Sequence, residues 1–126
     1  MLTTSVLVSA AVVLGLLMLL HSCLGERFLI VPLSTRDDLP PLLGDRSRTV
    51  GVVRFAWHIT SVLGLGFAAV LVDIAAGTGI RGIVLTIGIT CFACAVLPLL
   101  FTRGRHPSWV FFLIAGGLCV WVSIST

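Results

Sequence analysis

The chain has 126 residues, of which 58% are hydrophobic and only 10% charged, and its formal net charge is +3. Soluble domains carry roughly 25% charged residues, and a chain this short has too little interior to hide so much apolar surface from water. This composition excludes an ordinary soluble fold, and with no basic patch interleaved with aromatics it argues against a nucleic-acid partner.

All eight basic side chains are Arg, a bias that points to a GC-rich bacterial genome. Four apolar stretches approach the roughly 20 residues a helix needs to cross a bilayer: residues 5–24, 50–72, 82–101 and 108–124. The reading is a single all-α domain over residues 1–126, an integral membrane four-helix bundle in the bacterial inner membrane. Its first span is expected to stay uncleaved, because residues 1–5 lack the positive charge of a signal peptide.

The connection from 25 to 49 follows. It carries Arg27, Arg36, Arg46 and Arg48. Its apolar start, Phe28 to Leu33, suits the membrane surface, and Pro40-Pro41 bars a regular helix interior. Arg103 and Arg105 lie in the third connection, while the second holds only Asp73 and Arg81. Connections one and three share a side, so the positive-inside rule makes that side cytoplasmic and puts both termini outside.

Small residues recur at helical spacing along the spans: Thr60, Gly64 and Ala68; Gly88, Cys91 and Ala95; Gly116, Cys119 and Ser123. Such stripes let helices approach closely in lipid. They also predict self-association or a place in a larger membrane complex, with the Thr60 stripe as the first contact. Pro98 is expected to loosen the end of the third span, and Trp109 and Trp121 to anchor the fourth at its two interfaces.

Ionisable groups within such spans are expensive and mark a site. His21, Arg54 and His58 lie inside them and Glu26 at the edge. Arg54 and His58 share a helix face that Ser61 continues, and His106 ends the third connection on the same side. His21, Glu26 and His58 together offer two imidazoles and a carboxylate, a common set for zinc or non-haem iron. The bland alternative is a hydrogen-bonded network with Glu26 on Arg54. His21 and Glu26 are five apart and point away from each other on a straight helix, so convergence needs Gly25 to end the helix as a left-handed cap.

His21 and Gly25 also form an HxxxG pattern that resembles the membrane anchor subunits of succinate dehydrogenase. That resemblance implies haem b, with His58 as second axial ligand. The chain departs from those anchors in having four spans and no Tyr. Cys91-Phe92-Ala93-Cys94 is similar to the CxxC of quinone-reducing membrane thiol oxidoreductases, but it lies mid-span with no second pair to relay electrons. Two small packing residues are the expectation.

Three function classes remain: a metal or haem protein, a small transporter moving protons or an anion through the same groups, and a structural or accessory subunit. In a background freed of native cysteines, Ser34→Cys is expected to resist a membrane-impermeant thiol reagent applied to intact cells, and Thr126→Cys to react. Labelling at Ser34→Cys from outside would reverse the topology.

Overall fold

In the computed structural model, residues 1–125 are described; the C-terminal Thr126 lies outside them. The described residues form four helices long and apolar enough to cross a membrane: α1 Leu2–Ser34, α2 Arg46–Ala76, α3 Gly79–Phe101 and α4 Ser108–Ser125. No strand is present among the described residues.

The first two helices outrun the apolar stretches that nucleate them. α1 does not stop at Gly25, where φ is −63° and right-handed. It passes through a π-helical turn, Glu26–Ile30, and ends in Val31–Ser34. The left-handed cap that convergence of His21 and Glu26 would need is therefore absent, and the connection to α2 covers residues 35–45. The reason is packing. Gly25 is buried, and a Cβ added there would overlap the indole of Trp57 on α2. The missing side chain admits Trp57 rather than a turn. The π turn lies just ahead of Pro32, a residue that brings no N–H to the helix ladder. Apolar Phe28 and Leu29 stay exposed, while Ile30 faces inward.

Local chemistry sets the other ends. Asp45 caps α2, its carboxylate accepting from Ser47 N–H at 2.8 Å. Gly77 closes the same helix at φ +69°, a left-handed conformation that few other residues tolerate. α3 contains the buried Pro98 and still runs to Phe101.

Each helix packs on its neighbour in sequence: α1 on α2, α2 on α3, α3 on α4. Among the described residues α1 and α4 make no substantial contact, so the bundle stays open along one side. The accessible surface, 7861 Å², exceeds the roughly 6,500 Å² of a compact soluble monomer of this length. Much of it is Leu, Val, Ile and Phe.

The α3–α4 contact uses the small-residue faces read on each of the two spans. A Cβ at Gly88 would meet Cys119 Cβ and Gly116 O at 3.1 Å, so the backbones themselves touch. On α2, Gly64 and Ala68 are buried, with Gly64 against Met18 of α1, whereas Thr60 is exposed. Two thirds of the stripe expected at a dimer contact is thus occupied inside the chain.

Gly25→Ala is expected to force Trp57 out of its place and to destabilise the α1–α2 pair by about 1–3 kcal/mol, the scale of overpacking. Reversible unfolding in mixed micelles checks this. Adding Trp57→Leu should recover part of the loss, because the two side chains compete for one space.

Candidate functional site

The polar residues meet where α1 and α2 run antiparallel, as a ladder with one register. Met18 sits on Gly64, His21 on Ser61, Ser22 on His58, Gly25 on Trp57 and Glu26 on Arg54. Partners descend α2 as they ascend α1. On α1, Met18, Ser22 and Glu26 recur every four residues, as do His21 and Gly25; on α2, Arg54 and His58, and Trp57 and Ser61, do the same. Spacing of four is the spacing of one helix face.

His58 is the centre. Its Nε2 lies 2.9 Å from Glu26 Oε2 and its Nδ1 2.5 Å from Ser22 Oγ. A carboxylate only accepts, so Nε2–H donates to Glu26, and Nδ1 of the same ring shares a hydrogen bond with the Ser22 hydroxyl. Glu26 is also held by Arg54, with Nη2 2.8 Å from Oε1 and Nε 3.2 Å from Oε2. This is the forked guanidinium–carboxylate contact, stronger than a single hydrogen bond. The His58 side chain is only 14% exposed. Phe101 of α3 flanks the group, 5.7 Å from the His58 ring and 5.9 Å from the Arg54 guanidinium.

His21 belongs to a second set. Its ring stacks on Trp57 at 4.4 Å and 3° between planes, and its Nδ1 is 3.0 Å from Ser61 Oγ. Trp57 Nε1–H donates to the His21 carbonyl at 3.0 Å. Of the three residues foreseen as metal ligands, Glu26 and His58 come together, and His21 turns to Ser61 and Trp57 instead. Among the described residues no group of three or more His, Cys, Asp and Glu side chains is gathered as a ligand set. The space over Gly25 that an HxxxG haem site would use holds the Trp57 indole. His106 packs its ring on Phe55 at 5.0 Å and its Nδ1 lies 2.8 Å from Ser108 Oγ, so it stands beside the α1–α2 ladder and not in it. All four cysteines are free thiols, Cys94 buried and Cys91 partly so.

Two participants escaped the sequence reading: Ser22 and Trp57. Ser22 was legible as the residue one turn before Glu26. Trp57 was legible from Gly25, a small residue opposite a large one. Ser22, His58 and Glu26 order a hydroxyl, an imidazole and a carboxylate as hydrolytic triads do. Ser22 sits inside a continuous helix, however, where the helix ladder occupies the backbone N–H groups that would have to stabilise an oxyanion.

Beyond the ladder, the connection residues form a charged layer. Arg36 pairs with Asp38 at 2.6 Å and Arg46 with Asp37 at 3.3 Å. Asp45 faces Arg105 at 3.5 Å and Arg48 at 3.7 Å. At the far end of α2, Thr86 Oγ1 of α3 donates to Asp73 Oδ2 at 2.5 Å.

In comparisons with protein-family models, curated proteins and solved structures, none matches this chain. The site therefore stands on its geometry alone.

The hydrogen bonds of Ser47, with Arg48 and Arg105 adding their charge, hold the Asp45 carboxyl below the usual carboxylate range. A carboxylate whose folded pKa is depressed stabilises the fold above its unfolded pKa of about 3.9, and that contribution is lost as pH falls through the folded value. Acidification below about pH 4 is thus expected to raise hydrogen exchange in the first turn of α2. Asp45→Asn keeps the cap and should remove that pH dependence.

Proposed function

We propose that this chain is a small multi-pass protein of the bacterial inner membrane, both termini outside and the Arg-rich connections cytoplasmic. In this reading it serves as a structural or accessory subunit. The observation that carries the proposal is that the polar ladder saturates itself. Ser22, His58, Glu26 and Arg54 bond one another, and His21, Ser61 and Trp57 do likewise. A catalytic or transport site keeps a position open for its substrate; this one commits its groups to fastening α1 to α2. Polar side chains act as glue between helices in lipid.

The open side of the bundle supports the same reading. Among the described residues α1 makes substantial contact with α2 alone, and it presents Leu16, Leu17, Leu20 and Leu24 outward. That face suits the lipid bilayer, a second copy or a larger membrane complex. A metal at Glu26 and His58 is the second reading, favoured by their 2.9 Å approach; it needs further ligands that the ladder does not gather.

Cross-linking at native abundance is expected to give species above the monomer, and protein purified without chelator to carry neither stoichiometric metal nor a haem band. His58→Gln should keep association and cost about 1 kcal/mol, the scale of one hydrogen bond. Monomer alone, or a bound metal lost with His58→Gln, would overturn the accessory reading.

A further inference from the structure

A cavity lies next to the ladder and shares Arg54 with it. It encloses about 440 Å³ between the end of α1, the start of α2 and the end of α3. Small-ligand sites fall in the same range, about 300–1,000 Å³. Four guanidinium groups line it: Arg48, Arg54, Arg103 and Arg105. Only two carboxylates answer them. Asp45 is shared by Arg48 and Arg105, and Glu26 holds Arg54. Arg103 has no ion pair among the described residues. The cavity wall is left with an excess of positive charge.

A second observation sharpens this. The Nε–H of Arg48 is buried and makes no hydrogen bond; its closest carboxylate oxygen, on Asp45, stands 3.7 Å away. At 3.7 Å Asp45 is beyond hydrogen-bond reach, so the Arg48 guanidinium that lines the cavity keeps donors to offer an acceptor there. The first turn of the 31-residue α2 also lines the cavity at Ser47 and Arg48, adding the positive end of a long helix. Arg103 and Gly104 turn the chain after α3 through positive φ, 53° and 72°, and bring Arg103 and Arg105 to the same wall.

We infer that this cavity is a binding site for a phosphate group. Guanidinium forks from separate segments suit a tetrahedral anion with several acceptor oxygens, where a carboxylate would be satisfied by one fork. Two sources carry that chemistry, an anionic lipid headgroup and a free phosphate. Exposed Leu100 at the rim offers an acyl chain a neighbouring surface, and basic pockets between membrane helices take such headgroups. The site is independent of the accessory role proposed above and can fail without it.

The test uses the full chain in nanodiscs, at a fixed salt concentration near 0.15 M, since exposed charge interactions are screened there. One arm titrates inorganic phosphate into phosphatidylcholine discs. The other measures retention of phosphatidylglycerol against phosphatidylcholine by native mass spectrometry. The variant is Arg48→Gln with Arg103→Gln, and the control is Arg27→Gln with Arg81→Gln, which removes the same charge away from the cavity. Arg103→Gln alone, at an exposed position, guards against misfolding of the double variant. The expected result is a loss of at least tenfold in affinity for one probe in the double variant, a smaller loss in Arg103→Gln, and less than threefold in the control. Phosphate binding identifies the free anion as source, and selective phosphatidylglycerol retention identifies the lipid. Less than tenfold loss for both probes, or an equal loss in the control, overturns the site.

Discussion

A carboxylate and a guanidinium set into two apolar helices have few places to go, and the rest of this molecule is arranged around that constraint. Leaving either unpaired in an apolar setting costs several kcal/mol. Glu26 on α1 and Arg54 on α2 therefore face each other, joined through both carboxylate oxygens. Once that pair is made, an antiparallel register follows for every residue beyond it. Each turn along α1 meets one turn back along α2, and the side chains at those positions are complementary. His58 falls between Ser22 and Glu26, His21 reaches Ser61, and Met18 fills the space left by Gly64.

The other contacts use different physics. α3 and α4 have no charged pair between them and come together by backbone approach at Gly88 and Gly116, where dispersion over a close contact replaces hydrogen bonding. α2 and α3 combine both modes. Gly51 lets the Phe101 carbonyl close at one end, and the Asp73–Thr86 bond joins the other. The chain is thus a row of three pairwise solutions and not a closed ring. Its few buried apolar side chains would be inadequate for a soluble protein, and its four helices are long and apolar enough to cross a membrane.

Charge is sorted along the molecule in layers. The ladder is internally neutralised, and the connection residues beyond it pair Arg36, Arg46 and Arg48 with neighbouring aspartates. Between these layers lies the arginine-lined cavity, where acids run short. The positive end of α2 opens into the same space, so backbone and side chains add to one potential.

Helix number and the position of the polar residues were legible in the sequence, because apolar runs of transmembrane length and ionisable residues inside them are local properties. So were the small-residue faces of α3 and α4, since spacing of three or four defines a face, though not that the two would meet each other. What sequence alone left open was Gly25. A glycine after an apolar run signals a cap when only local conformational freedom is weighed, yet here it is the socket for Trp57, whose Cα lies 32 residues further along the chain. With no cap there, the helix runs on to Ser34, and His21 and Glu26 stay on different faces. The antiparallel register of α1 on α2 assigned them to different partners, Ser61 and Arg54. Composition fixes how many helices exist and what each must bury. Which polar group meets which is decided only when two helices dock, because that choice belongs to the register between them and to no residue alone.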